Sequence, residues 1–280
     1  MSSLMVVAVL TMGGMGVFFA LVLAVVHTKF RVEEDPKVSR IEEVLPGINC
    51  GACGSPSCRA YAERVASGTA PTNLCVPGGA EVALDVSEIM GVAAEAVQKR
   101  VAVVHCGAHD DQRSRRARYL GPESCSAQEA IRAGDIACTY GCLGKGDCFR
   151  ACPFEAIEMR DRLPHIILEH CTACGKCVEA CPRHIIALEP YEEPVGLIAV
   201  ACSSQDAGKV VRKICPVGCI ACRICVRTCT HDAFYMDGHL AKVHQDKAQG
   251  CEEWDTVIAK CRPQCIVRVG GQGREKESAK

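Results

Sequence analysis

The sequence predicts an α+β protein with one N-terminal transmembrane helix, a small α-rich domain and two units that combine short strands with helices. Three observations predict this class. A long apolar segment opens the chain, 23 cysteines recur in runs of regular spacing, and short apolar stretches follow several of these runs. With 280 residues but only 4% aromatic residues, the chain is expected to fold as several small units rather than around one aromatic core.

The first element is an apolar segment long enough to cross a membrane. Residues 4–26 carry no charge, and as a helix they span roughly 34 Å. A cleavable signal peptide is the alternative, but no basic residue precedes the segment, which is also long for such a signal. Lys29 and Arg31 follow at once, so the positive-inside rule places the bulk of the chain in the cytoplasm. We expect residues 1–28 to be a single-pass anchor in the cytoplasmic membrane and residues 29–40 to be a linker.

The α-rich domain is predicted for residues 41–105 and contains a separate set of four cysteines. The set follows the pattern C-x2-C-x4-C-x16-C and consists of Cys50, Cys53, Cys58 and Cys75. Residues 59–67 have a helical composition, and Gly68 stands where glycine commonly ends a helix. A helix followed by a return loop can bring Cys75 back to the other three cysteines.

Beyond Cys75, the same domain is predicted to contain a further helix and one strand. Residues 80–100 are mostly helix-forming, with a break expected at Gly91. Residues 101–104 have the composition of a buried strand. Residues 106–132 then connect the domain to the next unit.

The clearest motif lies in the middle of the chain and reads Cys171-Thr-Ala-Cys174-Gly-Lys-Cys177-Val-Glu-Ala-Cys181-Pro182. It matches the bacterial ferredoxin pattern C-x2-C-x2-C-x3-C-P, in which three cysteines bind one [4Fe-4S] cube and the fourth binds a neighbouring cube. A partner run lies upstream and reads Cys138-x3-Cys142-x5-Cys148-x3-Cys152-Pro153. Residues 133–190 are therefore predicted to form a ferredoxin-like unit of duplicated βαβ type, with a short strand after each Cys-Pro pair.

The crossing rule of ferredoxins assigns the ligands of both cubes in this unit. One cube is predicted to take Cys138, Cys142, Cys148 and Cys181. The other is predicted to take Cys171, Cys174, Cys177 and Cys152.

Residues 191–268 form a degenerate second unit of the same kind. Its first run is Cys219-Ile-Ala-Cys222-Arg-Ile-Cys225-Val-Arg-Thr-Cys229, followed by Thr230 instead of proline. Its second run begins at Cys251 and ends at Cys261, but has Trp254 and Val257 where two ligands would stand. One cube is predicted here, with the ligands Cys219, Cys222, Cys225 and Cys261.

Seven cysteines remain outside these sets. A further cube would use Cys229 and Cys251, completed from Cys202, Cys215 or Cys265. The alternative is that these five are buried apolar thiols, which is also the simplest interpretation of the isolated Cys106 and Cys125. Four cubes correspond to about sixteen irons per chain and five to about twenty.

Zinc sites and disulfides are the competing interpretations of so many cysteines. Zinc takes four ligands, commonly in two pairs, and has no use for a third cysteine two residues further on. A disulfide framework suits a small secreted domain, whereas this chain is long and has an odd number of cysteines. Because small ferredoxin units bury little apolar area, we expect that the removal of iron unfolds them.

In the order of these parts the chain resembles the B subunit of the Rnf complex, in a longer form with a second ferredoxin-like unit. The resemblance rests on the apolar helix, the Cys50-Gly-Ala-Cys53 domain and Cys138-Thr-Tyr-Gly-Cys142 leading into paired ferredoxin runs. It implies an electron-relay subunit of a membrane-bound, ion-translocating ferredoxin:NAD oxidoreductase, in which other subunits are partners. A soluble ferredoxin would be the donor, and sodium or proton movement would be coupled to the flow of electrons.

Two other functions remain open from the residues. The chain could be an iron-sulfur wiring subunit of another membrane dehydrogenase or hydrogenase, or an iron-sulfur redox sensor. No catalytic constellation is visible among the carboxylates, histidines and hydroxyls, and no G-x-G-x-x-G motif follows a strand. We therefore expect no NAD site on this chain, and its net charge of -1 does not suggest a nucleic-acid partner.

Basic residues cluster in two places and offer a docking surface for an acidic ferredoxin. One stretch contains Arg113, Arg115, Arg116 and Arg118, and the other contains Lys209, Arg212, Lys213, Arg223 and Arg227. Such charges often only solvate a surface. The sharper hypothesis is that one cluster steers ferredoxin by opposite charge. The last residues, 269–280, are predicted to be a disordered tail.

Overall fold

In a computed structural model, the described residues are 3–29, 35–131, 134–248 and 253–271. The helices among them are α1 Ser3–Lys29, α2 Pro36–Val44, α3 Cys58–Ala66, α4 Gly79–Met90, α5 Cys125–Glu129, α6 Asp147–Ala151, α7 Lys176–Glu179, α8 Gly208–Ile214, α9 Ile224–Thr228, α10 Gln245–Ala248 and α11 Trp254–Lys260. The strands are β1 Arg100–Val104, β2 Ile157–Arg160, β3 Leu163–Ile166, β4 Ile186–Pro190, β5 Leu197–Val200, β6 Phe234–Asp237, β7 Leu240–Val243 and β8 Ile266–Val269.

The N-terminal helix α1 agrees with the apolar segment that the sequence predicts. Its stretch Val6–Lys29 is long and apolar enough to cross a membrane, and none of it is buried against the rest of the protein. Large apolar side chains such as Leu10, Phe18 and Leu23 are exposed. A helix with apolar residues on all sides needs a surrounding that is not water, so α1 is suited to a lipid environment.

Helices α2, α3 and α4 form the N-terminal domain around a small apolar core. Ile41, Tyr61, Val65 and Val86 are almost completely buried there. Helix α4 ends at Gly91, whose φ of 70° is the left-handed conformation that glycine adopts without strain. The chain does not resume a helix after this break, so the helical prediction for residues 92–99 is wrong.

Each of the two following units contains a hairpin and one pair of strands that are distant in sequence. In residues 100–190, the first unit, β2 pairs with β3 and β1 pairs with β4. In residues 197–269, the second unit, β6 pairs with β7 and β5 pairs with β8. All four pairs are antiparallel, so the expected βαβ type, which would require parallel strands, is not found among the described residues.

The pairing of strand β1 moves the predicted boundary between the N-terminal domain and the first ferredoxin-like unit. The sequence predicts residues 101–104 as part of the N-terminal domain, but β1 pairs with β4 over its whole length. It therefore belongs to the first ferredoxin-like unit, because β4 directly follows the Cys181-Pro182 pair. At the other end, β8 extends to Val269, one residue into the predicted tail, and residues 272–280 lie outside the described part.

The two units pack against each other through β1 and β5. Val101 and Val103 of one sheet form a buried cluster with Leu197 and Ala199 of the other. Just beyond the strands, the backbone N–H of Gly107 donates to the oxygen of Ala201 at 3.0 Å. The segments that follow β1 and β5 thus run side by side at the centre of the molecule.

Candidate iron-sulfur centres

The four cysteines of the N-terminal domain come together at the start of α3. Cys58 is the first residue of this helix, and its backbone N–H donates to Asn49 Oδ1 at 2.8 Å. The thiols of Cys50, Cys53 and Cys58 all act electrostatically on Cys75, which is buried. The pKa of the Cys75 thiol is raised to about 11, mainly by burial and further by the neighbouring thiols.

Tyr61 fixes the return loop that carries Cys75. Its hydroxyl donates to the oxygen of Pro71 at 2.9 Å and accepts from the backbone N–H of Leu74 at 3.2 Å. Burial raises the pKa of Tyr61 to about 12, so the hydroxyl stays protonated and able to donate. One buried side chain of α3 therefore determines where the fourth cysteine lies.

In the first unit, one cavity is lined by the four cysteines that the sequence assigns to a single cube. They are Cys152, Cys171, Cys174 and Cys177. Cys177 lies in α7, which begins after Gly175, a residue with a φ of 81°. The backbone N–H of Ala102 in β1 donates to Cys171 Sγ at 3.4 Å. Strand β1 thus contributes to this centre directly, a role that the sequence did not reveal.

The other cavity of this unit differs from the prediction by one cysteine. It is lined by Cys125, Cys142, Cys148 and Cys181. The cysteine spacing predicts Cys138 as a member of this set and leaves Cys125 as a buried apolar thiol. In the structure, Cys138 lies instead beside Cys106 and Cys215 at another cavity.

Asp147 explains why Cys125 lies at this cavity. The Asp147 carboxylate accepts hydrogen bonds of 3.0 Å from the backbone N–H groups of Cys125 and Ser126 and from the Ser124 hydroxyl. Burial opposes ionisation, but these hydrogen bonds prevail and lower the pKa of Asp147. Since Asp147 precedes Cys148 in α6, it ties the start of α5 to the cavity. This link connects residues far apart in sequence, so cysteine spacing gives no sign of it.

In the second unit, a third cavity contains the four cysteines that the sequence assigns to its cube. They are Cys219, Cys222, Cys225 and Cys261. Cys265 also lines this cavity, with its Sγ 3.6 Å from Cys261 Sγ. Hydrogen bonds from Cys265 lower the pKa of Cys219 and of Cys261 to about 6 and raise that of Cys265. Cys265 therefore lies beside the predicted set as a fifth thiol of the same cavity.

The place where a second cube of this unit would lie is filled by apolar side chains. Trp254 is 3% exposed and Val257 is fully buried, and both pack in one core cluster with Cys229. The Trp254 Nε1–H donates to the oxygen of Ala248 at 2.8 Å. Cys251, the other predicted survivor of this site, lies outside the described residues.

The remaining cysteines line a fourth cavity between the two units, which we call the interunit cavity. Its thiols belong to Cys106, Cys138, Cys202 and Cys215. The space between its lining residues, including the part that is open to solvent, is about 530 Å³, against about 330, 370 and 340 Å³ for the other three. Cys202 and Cys215, predicted as candidate partners of Cys229, thus line this cavity, whereas Cys229 does not.

The cysteines surround cavities rather than a single point. Among the described residues, no group of three or more His, Cys, Asp or Glu is placed to hold one metal ion. A zinc ion needs its sulfurs about 2.3 Å from one centre, which is a much tighter arrangement. Soft thiolates spread around a space of this kind fit a polynuclear iron-sulfur cluster.

Burial shapes the chemistry of these thiols before iron binds. It raises the pKa of Cys142, Cys148 and Cys177 to about 12 and that of Cys225 to about 11. Cysteine binds metal as the thiolate, so cluster loading must displace these protons. The sites are therefore expected to load more readily at alkaline than at acidic pH.

The two basic clusters have different surroundings. Arg113 is buried, and Arg115 forms ion pairs with Asp110 and Asp135. In contrast, the second cluster is exposed along its length and consists of Lys209, Arg212 and Lys213 of α8 with Arg223 and Arg227 at α9. A Cβ added to Gly208 of α8 would lie 2.1 Å from the oxygen of Ile220, so this helix packs closely against the loop of the third cavity.

Two family models match the cysteine-rich parts of the chain. One is described as a putative Fe-S cluster and matches residues 45–77, and the other is described as a 4Fe-4S dicluster domain and matches residues 131–182. The first match contains the set in the N-terminal domain. The second contains most of the first ferredoxin-like unit, from the residues after α5 to Pro182.

Several relatives are similar over most of the chain. It is 40% identical to the B subunit of the Na(+)-translocating ferredoxin:NAD(+) oxidoreductase complex of Acetobacterium woodii, over 91% of this chain and 75% of that protein. It is 41% identical to the B subunit of the proton-translocating ferredoxin:NAD(+) oxidoreductase complex of Clostridium ljungdahlii, over 95% and 92% of the two chains. The B subunit of the ion-translocating oxidoreductase complex of Methanosarcina acetivorans is 33% identical over 90% and 94%.

Proposed function

The chain belongs to the family of B subunits of the ion-translocating ferredoxin:NAD oxidoreductase complexes called Rnf, and from this premise we propose how it relays electrons within such a complex. Its own part is iron-sulfur electron transfer as one subunit of an oxidoreductase, with the other subunits of the complex as its partners. The observation that carries the proposal is that ferredoxin-type cysteine runs line three separate cavities.

Four clusters follow from the cysteine sets already described. The N-terminal domain would hold one through Cys50, Cys53, Cys58 and Cys75. The first unit would hold two, through Cys152, Cys171, Cys174 and Cys177 and through Cys125, Cys142, Cys148 and Cys181. The second unit would hold one through Cys219, Cys222, Cys225 and Cys261. When bound, such clusters supply one-electron transfer at low potential.

The polypeptide controls these centres by burial and by hydrogen bonds to sulfur. Cys148, Cys177 and Cys225 are all buried, so water has little access to their side of each cavity. The N–H of Ala102 that points at Cys171 Sγ stabilises negative charge on that sulfur. Such bonds and limited solvent exposure are the means by which a protein sets the potential of a cluster.

Helix α1 supports a proposal for the side of the membrane on which this chemistry takes place. Lys29 lies in the last turn of α1 and Arg31 follows in the sequence, so the ferredoxin-like units would lie on the cytoplasmic side of a single-pass anchor. Cytoplasmic reducing conditions also keep cysteines available for iron. Cleavage of the units by protease added to inside-out vesicles, and not to right-side-out cells, checks this orientation. NAD chemistry and the ion path would reside on other subunits.

The donor would dock on the exposed basic cluster at α8 and α9. In the other cluster, Arg113 is buried and Arg115 is paired with carboxylates, so only part of its positive charge faces solvent. The α8 cluster, in contrast, borders the loop that carries Cys222, and Arg227 Nη2 donates to the oxygen of Cys222 at 3.4 Å. An acidic ferredoxin held at this face would lie next to the cluster site of the second unit.

Charge reversal on α8 tests this docking site. In the purified full-length protein, Lys209→Glu with Arg212→Glu and Lys213→Glu is expected to slow reduction by reduced ferredoxin by about tenfold or more at low ionic strength. The measurement is the bleaching of cluster absorbance in stopped flow, repeated over a salt series. The wild-type rate should fall steeply with salt, whereas the variant rate should hardly change.

A matched control uses the other basic cluster. Arg116→Glu with Arg118→Glu changes exposed charges of the first unit and should leave the rate close to that of wild type. Equal effects of the two variants would locate the docking site elsewhere. Unchanged iron content in both variants shows that any loss of rate arises from docking and not from cluster loss.

A further inference from the structure

The interunit cavity is the largest of the four cavities, and its cysteines come from both ferredoxin-like units. Cys106 follows β1 and Cys138 lies between α5 and α6, both in the first unit. Cys202 follows β5 and Cys215 follows α8, both in the second unit. All four thiols line the same space, whose volume of about 530 Å³, including the part that is open to solvent, exceeds that of each of the other cysteine-lined cavities.

The two halves of this cavity are built in the same way. Cys138 stands four residues before Cys142, and Cys215 stands four residues before Cys219. The backbone N–H of Cys142 donates to Cys106 Sγ at 3.4 Å. The equivalent N–H of Cys219 donates to Cys202 Sγ at 3.3 Å. The same hydrogen bond to sulfur therefore recurs at equivalent positions of the two units.

The other two sulfurs also receive backbone hydrogen bonds. Cys138 Sγ interacts with the N–H of Tyr140, and Cys215 Sγ with the N–H groups of Val217 and Gly218. Every sulfur around the cavity is therefore approached by at least one peptide N–H. Sulfurs that carry negative charge as cluster ligands are stabilised by such bonds.

A buried positive charge lines the same cavity. Arg113 is 8% exposed and donates through Nε to the oxygen of Ala108 at 2.9 Å and through Nη2 to the oxygen of Arg162 at 3.2 Å. Its Nη1 has no hydrogen-bond partner among the described residues. A buried guanidinium without a carboxylate partner is costly unless a negative group lies nearby. A cluster held by four thiolates would supply that charge.

From these observations we propose that Cys106, Cys138, Cys202 and Cys215 bind an additional [4Fe-4S] cluster between the two ferredoxin-like units. Its neighbours would be the clusters of Cys142 and of Cys219, because the backbone of each of these cysteines touches one wall of the cavity. The site would connect the relay of the first unit with that of the second. It does not depend on which protein donates electrons.

The iron content of the full-length protein, isolated anaerobically, tests the site. With this cluster the wild type should contain about twenty irons and as many inorganic sulfides, and without it about sixteen. Cys106→Ala and Cys215→Ala alter different units, yet each should lose the same four irons. Both should also lose the same component of the electron paramagnetic resonance spectrum after reduction. Zinc content should stay negligible in all samples.

A buried cysteine outside the cavity provides the control. Cys229→Ala removes a thiol of comparable burial from the second unit and should leave iron content and spectrum unchanged. A wild type with about sixteen irons would overturn the proposal even if neither variant could be purified. So would full iron content in both variants, or an equal loss in Cys229→Ala. Reduction of the α8 charge-reversal variant at the wild-type rate, with full iron content, would count against the docking site and not against this cluster.

Discussion

The two ferredoxin-like units have the same strand pairing but differ in the side chains of one corresponding stretch. In the first unit, cysteines line a cavity next to α7, the helix that contains Cys177. In the second unit, α11 occupies the corresponding stretch and contributes Trp254 and Val257 to an apolar core. The strands on either side pair in the same antiparallel manner in both units.

We infer from this difference that one backbone arrangement can be stabilised either by a cluster or by apolar side chains. A cluster ties four chain segments together through metal-thiolate bonds. A buried tryptophan instead contributes contact area and one hydrogen bond, here from Nε1 to Ala248. The second unit thus keeps the fold with fewer predicted metal ligands, and we expect the two units to respond differently when iron is removed.

Iron removal should have the largest effect and should separate the units. Metal ligation in small domains contributes on the order of 10 kcal/mol, taking structural zinc as the scale. Anaerobic chelation should therefore abolish hydrogen-exchange protection in the β2–β3 hairpin. Trp254, the only tryptophan, should remain in an apolar environment because it packs in a core that also contains apolar side chains such as Val257 and Phe234. The measurements are exchange by mass spectrometry and the emission maximum of Trp254.

Two outcomes would contradict this view. If the Trp254 emission shifts to that of exposed indole at the same chelator concentration at which the hairpin loses protection, the apolar core does not hold the second unit by itself. If the hairpin stays protected without iron, the first unit does not depend on its clusters. Reconstitution with iron and sulfide should restore the hairpin, which excludes irreversible damage as the cause.

Restoring the missing ligands should make the two units alike. Trp254→Cys with Val257→Cys recreates the C-x2-C-x2-C-x3-C spacing from Cys251 to Cys261. With Cys229 as the crossing ligand, the variant should gain about four irons per chain over the wild type. Iron and sulfide analysis measures the gain, and the reduced variant should show an additional paramagnetic component.

The matching control is Trp254→Ala with Val257→Ala. It removes the same side chains without offering thiolates, so iron content should stay at the wild-type value. Loss of the buried tryptophan alone should destabilise the unit by about 3–5 kcal/mol. Failure of the cysteine variant to gain iron, while it folds as well as this control or better, would show that the backbone around Cys229 cannot accommodate a cluster.

The sequence predicts well the features of these centres that depend on residues close together in the chain. It predicts poorly the features that depend on contacts between residues far apart in the chain. The helix after Cys58, the strands after the two Cys-Pro pairs and the set around Cys171 depend on spacing within short runs. Cys125 depends on Asp147, and a carboxylate that bonds to a distant backbone leaves no mark in cysteine spacing. The pairing of β1 with β4 is equally non-local, which is why the sequence placed β1 in the wrong domain.

The interunit cavity shows a signal that was present in the sequence but needed the structure to be understood. Cys138 and Cys142 have the same separation as Cys215 and Cys219, and this repeat marks equivalent positions in the two units. The repeat alone does not predict that Cys138 and Cys215 line a cavity between the two units. The contact between Gly107 and Ala201 brings the two halves together, and such a contact arises only from tertiary packing.

The smallest predicted effect is on stability and concerns the residue before each helix that contains a predicted cluster ligand. Gly146 and Gly175 occupy the left-handed conformation in the first unit, whereas Arg223, with a φ of 59°, occupies it in the second. A non-glycine residue is strained there by about 1–2 kcal/mol. Glycine relieves the strain but gains freedom in the unfolded chain, so Arg223→Gly should stabilise the second unit by about 0.5 kcal/mol. The Trp254 denaturation midpoint measures this shift.

Ala221→Gly separates the backbone effect from the effect of charge. Ala221 has a φ of 55° in the same loop but no charge, so its replacement should stabilise the unit to a similar extent. Only Arg223→Gly also removes positive charge beside the proposed docking face, and it alone should slow reduction by ferredoxin, by about twofold at low salt. Destabilisation by Arg223→Gly together with stabilisation by Ala221→Gly would mean that contacts of the arginine side chain outweigh its backbone strain. In that case Arg223 would replace a glycine in the second unit through its side-chain contacts, as Trp254 and Val257 replace two predicted ligands through theirs.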